Sequence, residues 1–260
     1  MSGPAGEPGG VRLLRGAAAY KPATPWRPGA ALLASAGIVA LSMLGARFLP
    51  AYLGLGFGVG PHPTPNNIAT VGLWVVGTFQ LLAIGLTLLA GTLFGGRIAD
   101  TLALRAAPQG WRAYAGAILA MAVLQAVLAA VQNLLLKHDM LTDLRPFVGP
   151  VTGPYWPLAV AVLGLGAPLS EELLFRGFLL GALAKSRLGF LGAALVSTAL
   201  WTTLHAGYSL IGLAEVFAIG LLLSWLLWRT GSLWVTIFCH GLYNSLVVLV
   251  LRLIELPAQG

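Results

Sequence analysis

Two adjacent carboxylates, Glu171 and Glu172, sit in the short motif APLSEELLFRG at residues 167–177, and Arg176 follows four positions after the second. On a helix, Glu172 and Arg176 stand one turn apart on the same face and can pair. Glu171 is rotated about 100° away on a 3.6-residue helix, so it cannot share that contact equally. One carboxylate is therefore neutralised, and the other is left available to take a proton. The same three residues would also serve as an ion pair that only specifies helix packing.

Two histidines offer further chemistry. His205, in STALWTTLHAGYS, has Trp201 four residues before it on the same helical face. His240 and Asn244, in CHGLYNS, are spaced the same way, so two polar groups face one direction of an otherwise aliphatic helix. Each pair alone is equally a set of helix–helix hydrogen bonds. Taken together, Glu171, His205, His240 and Asn244 are the residue types that activate a water and hold an oxyanion. Glu171, His205 and His240 also form a known set of catalytic zinc ligands, although no HExxH helix is present. Cys239 adjoins His240, but neighbours on a helix point about 100° apart, so it reads as small apolar packing. Glu215 falls within the first turn or so of its apolar run and is assigned no role.

The elements that must position these groups lie in a membrane. The chain is 58% hydrophobic and only 9% charged, with a mean hydropathy of +0.86. A soluble domain carries roughly a quarter charged residues, so too few are present to coat a water-facing surface. Segments of alternating polarity are missing, which excludes a transmembrane barrel, while apolar runs of about 20 residues recur. Seven such runs cover roughly 29–49, 68–95, 113–136, 156–184, 189–207, 210–228 and 232–254. The fold class expected is all-α: a polytopic transmembrane bundle of about seven helices, within a range of six to eight. Intramembrane ionisable groups are expensive, and by default they mark function.

Charge orients the bundle. With the N-terminus inside, the inner segments hold ten basic residues: Arg12, Arg15, Lys21, Arg27, Arg97, Arg105, Arg112, Lys185, Arg187 and Arg229. The outer segments hold four: Arg47, Lys137, Arg145 and Arg252. This bias places the N-terminus in the cytoplasm and, with an odd helix count, the C-terminus outside. The net charge of +7 is spread through short gaps, so nucleic acid is not an expected partner. Residues 1–28, rich in Gly and Pro with four basic side chains, read as a flexible cytoplasmic tail. Residues 29–255 form one transmembrane domain. Arginine outnumbers lysine twelve to three, and Ala, Gly and Leu dominate, as in GC-rich bacterial genomes. The expected location is thus the bacterial plasma (inner) membrane, with lipid all round.

In order along the chain, EELLFR, W-x-x-x-H and H-x-x-x-N resemble the signature of the CPBP family of intramembrane endopeptidases. That family is also known as the CAAX-protease and bacteriocin-processing, or ABI, family, and its pattern is EExxxR, then FxxxH, then a histidine with Asn four on. The resemblance covers roughly residues 156–250. It implies hydrolysis of a peptide bond in a membrane-associated or C-terminally processed protein, near the cytoplasmic side of the bilayer. By position, Glu171 would be the general base, helped by His205, while His240 and Asn244 would stabilise the oxyanion. Glu172, Arg176 and Trp201 would support the site. Trp201 departs from the usual Phe but keeps an aromatic ring. The resemblance favours a glutamate-dependent site without a cofactor; zinc is the alternative. A non-proteolytic immunity or scaffold protein of the same fold would have no need of the complete set. A transporter is a further alternative, and no internal repeat speaks for it.

Overall fold

The computed structural model describes residues 19–54, 64–136 and 141–253, and among these it is helical with no strand. The main helices are α1 (Pro28–Tyr52), α2 (Pro65–Thr92), α3 (Ile98–Thr101), α4 (Trp111–Ala130) and α5 (Arg145–Thr152). They continue with α6 (Trp156–Leu183), α7 (Gly189–Thr202), α8 (Leu210–Thr230) and α9 (Leu233–Leu253). The helix starts follow from local chemistry. Pro28 and Pro65 occupy first-turn positions where no N–H is needed, and Thr64 caps α2 by accepting from Asn67 N at 3.3 Å. Gly231, at φ +65°, closes α8 in the left-handed conformation.

Six of these helices, α1, α2, α4, α6, α8 and α9, are long and apolar enough to cross a membrane. The chain is an integral, multi-pass membrane protein. α7 is the exception at 14 residues, shorter than the roughly 20 that span a bilayer. A single 3-10 turn, Thr203–His205, prolongs it. Among the described residues six helices are long enough to span, against about seven expected and within the range of six to eight. The short α3 and α5 lie in connections and were not expected.

Contacts sort the connections into two ends. At one end Lys185 Nζ donates to the carbonyls of Thr24 and Trp26 at 2.6 and 3.2 Å, and Arg105 reaches Lys21 O at 3.5 Å. Gln109 donates to Arg229 O at 3.2 Å there, and Ser232 Oγ to Arg105 O at 2.6 Å. These are the segments counted as inner, gathered on one face of the bundle. At the opposite end Asp143 meets Ser209, and Arg252 donates to Val151 O at 3.1 Å.

Part of the expected flexible tail is packed. Residues 19–27 form an extended strap under the basic end, where Ala19 N and Tyr20 N donate to Trp228 O at 3.1 and 3.2 Å. Trp26 is buried and donates its indole N–H to Ala90 O at 2.9 Å. Two aromatic residues in a Gly/Pro-rich segment were the available signal. Residues 1–18 lie outside the described residues.

Candidate active site

Proline sets the shape of α6. Pro168 has no N–H to give to the carbonyl one turn earlier, so that backbone group needs another donor. The helix widens into π-type hydrogen bonding over Val160–Gly166, and again over Glu172–Leu179. Such bulges occur frequently at functional sites. Side chains of α9 satisfy the freed carbonyls: Asn244 Nδ2 donates to Leu163 O at 3.1 Å and Ser245 Oγ to Gly164 O at 3.4 Å. Neighbouring helices re-satisfy a proline-interrupted membrane helix in this way.

The two glutamates diverge just below that point. Glu172 is fully buried and accepts from Arg176 Nη1 at 3.0 Å, the i, i+4 pair read from the sequence. Its Oε1 also meets His240 Nδ1 at 3.0 Å. The carboxylate thus bridges α6 and α9, an interhelix contact that sequence spacing could not give. Glu171 points elsewhere. Its side chain is 15% exposed, and its Oε2 accepts the indole N–H of Trp201 at 2.6 Å. His240 Nε2 lies 4.0 Å from the same oxygen.

Trp201 is the hub of the cluster. The Arg176 guanidinium stacks over its ring at 4.1 Å, a cation–π contact away from water. His205 and His240 both meet the ring edge-on, with centroids 5.1 and 5.6 Å away. Phenylalanine would offer the same ring but no N–H for Glu171. Glycine on α8 makes room: a Cβ on Gly220 would stand 2.6 Å from Thr198, 2.8 Å from Arg176 and 2.9 Å from Trp201. The small pair Gly220 and Ser224, four residues apart in an aliphatic helix, was the sequence signal for this close approach.

Glu171, Glu172, Arg176, Trp201, His205 and His240 are therefore one cluster. Asn244 borders it, with one amide N–H committed to α6. His205 is tied in through Trp201, and its Nδ1 has no hydrogen-bond partner among the described residues. The cluster sits near the middle of α6, at the end of α7 remote from the basic loops. α6 is buried without a break from Glu172 to Leu183, while its accessible positions lie on the other side of Glu171.

Three polar residues outside the motifs frame this region. Glu215 accepts from Gln132 Nε2 at 2.7 Å and from Tyr243 OH at 3.5 Å, joining α8 to α9 and to the π-type turn Val131–Leu136 that continues α4. Tyr208 edges His205 at 5.4 Å. Burial pushes its phenol up to about 12, and Glu171, Asp143 and Glu215 add to the shift, so it stays a neutral hydroxyl at ordinary pH. Cys239 packs on α4 with its thiol toward Ala117 O at 3.4 Å.

Among the described residues no three His, Cys, Asp or Glu side chains gather as a metal-holding group. Both oxygens facing His240 are already in use, one on Trp201 and one on Arg176.

Known proteins match one region of the chain. Residues 153–246 match the family described as type II CAAX prenyl endopeptidase, Rce1-like. The Rce1-like match contains every residue of the cluster, and it agrees with the resemblance carried by the three motifs. The curated "Putative membrane peptidase YdiL" of Bacillus subtilis (strain 168) is 34% identical over 94 residues. That alignment covers 36% of this chain and 37% of the relative's length. No solved structure matches.

Proposed function

We propose that this protein is a CPBP-type intramembrane endopeptidase that uses Glu171 to activate water. One observation carries the reading: the carboxylate of Glu171, His240 and His205 come from three helices to surround a single indole. The Rce1-like match over the same residues supports it.

In this reading Trp201 fixes Oε2 of Glu171 and leaves Oε1 free to take a proton from water, with His205 helping to hold that water. The water oxygen forms a bond to the scissile carbonyl carbon, and negative charge builds on the carbonyl oxygen. His240 and the second amide N–H of Asn244 stabilise that oxyanion. With Nδ1–H given to Glu172, His240 presents an N–H at Nε2 only as the imidazolium, which is the form the role needs. Collapse breaks the C–N bond, and the proton held by Glu171 passes to the leaving amine. Glu172 and Arg176 keep His240 in place. No step uses a metal.

The substrate class is a membrane-associated or C-terminally processed protein, in the plasma membrane of a bacterium. The membrane proteomes of a wild-type strain and a Glu171→Ala strain, compared for altered protein termini, test this. Substrates retaining their uncleaved termini only in the Glu171→Ala strain are expected. Identical termini in both strains, or rescue of a deletion phenotype by Glu171→Ala, would show that catalysis is not the function.

A further inference from the structure

The turn that carries His205 is fastened from outside the matched region. After the 3-10 turn Thr203–His205 the chain reverses through 206–209 into α8, with Tyr208 N donating to His205 O at 2.9 Å. Asp143, in the connection between α4 and α5, grips the far side of that reversal. Its Oδ1 accepts the backbone N–H of Ser209 at 2.7 Å, and its Oδ2 accepts the Ser209 hydroxyl at 2.8 Å. The same hydroxyl accepts from Gly212 N at 3.0 Å, capping α8. Gly212 leaves the room, since a Cβ there would stand against the Asp143 carboxylate. Beside it Phe147 of α5 edges Tyr208 at 6.4 Å, and Tyr208 edges His205.

Two aromatic edges, Trp201 and Tyr208, pack against the His205 ring from either side of the turn. Trp201 is fixed by the cluster. Tyr208 moves with the turn, and the turn is held by paired, charge-assisted bonds to one carboxylate. We propose that Asp143 is a positioning residue for His205, a latch that sets the imidazole against the hydrolytic centre. The proposal rests on the reading of His205 given under Proposed function. Misplacing a catalytic group by about 1 Å can cost on the order of a hundredfold in rate.

The test uses the full chain in detergent with ring-15N histidine, and His205 assigned by comparison with His205→Gln. In Asp143→Ala the His205 signals should shift or broaden while those of His240 stay in place. On an anchored peptide cleaved by the wild type, kcat should fall about tenfold to hundredfold with KM nearly unchanged. Asp143→Asn, which keeps the shape and one acceptor, should recover much of both. Ser209→Ala, which keeps the amide bond and loses the hydroxyl bond, should show a smaller change in the same direction, and it serves if Asp143→Ala does not fold. Unmoved His205 signals in Asp143→Ala and Ser209→Ala would overturn the latch. Displaced His205 signals with undiminished kcat would leave the latch standing and sink the catalytic role of His205.

Discussion

The two halves of the bundle solve the same membrane problem differently. In the spans of the first half, α1, α2 and α4, only 28%, 28% and 11% of the most apolar stretch is buried inside the protein. In α6, α8 and α9 the shares are 50%, 44% and 39%. The first half is mostly lipid-facing wall, with small buried residues such as Ala31, Ala113 and Ala117 where helices touch. The second half buries ions: Glu172 and Arg176 are completely enclosed, with His240 against them. A wall tolerates any apolar residue of fitting size, whereas a buried ion tolerates no loss of its partner. The contrast teaches where the protein spends its specificity, and it can be attacked from both sides.

Arg176→Met should do the most damage. It strands Glu172 without its cation, and breaking a buried pair by removing one partner costs about 3–5 kcal/mol. Thermal unfolding in detergent should show a large loss of stability, together with loss of any hydrolytic activity. A variant as stable as the wild type would mean that the buried Glu172–Arg176 pair within α6 is not what stabilises the bundle. Gly220→Ala comes next, at about 1–3 kcal/mol for overpacking, because its methyl would meet Trp201 and Arg176. The same measurement, with tryptophan fluorescence as a second reading, checks it; unchanged emission would argue against the close approach.

Trp201→Phe should leave the fold in place and cut kcat by about tenfold, the equivalent of about 1.4 kcal/mol, through the lost N–H to Glu171. Full activity would show that the ring alone suffices and that the hydrogen bond is incidental. The smallest effect belongs to the wall. Ser42→Ala on α1 removes a buried hydroxyl that has no hydrogen-bond partner among the described residues and should change stability by less than about 0.5 kcal/mol. A large loss there would erase the distinction between the halves.

What the sequence made legible follows this division. Apolar runs gave the passes of both halves, because crossing a bilayer depends on length and polarity alone. The i, i+4 rule found the Glu172–Arg176 pair and predicted that the neighbouring carboxylate would stand apart. Rules confined to one helix could not find Glu172 meeting His240, 68 residues on, or Trp201 meeting Glu171. The depths also looked discordant along the sequence: at about 1.5 Å per residue, Glu171 lies roughly 21 Å from Lys185 but His240 only about 17 Å from Arg229. The widened turns of α6 change its rise per residue, and Glu171 and His240 stand within 4.0 Å of each other all the same. Asn244 shows the converse. Its spacing from His240 was legible, but its bond to the Leu163 carbonyl depends on the backbone break made by Pro168 on another helix.

The central claim is that Glu171 activates the hydrolytic water without a metal, and hydrolysis in 18O-labelled water tests it most directly. Purified protein in lipid vesicles, given a mixture of peptides bearing an apolar anchor, should place one 18O in each newly formed C-terminus. That incorporation should persist under a strong chelator and fall by at least about a hundredfold in Glu171→Gln, the scale of a lost general base. Undiminished incorporation by Glu171→Gln, or abolition by the chelator with recovery on adding zinc, would contradict the account.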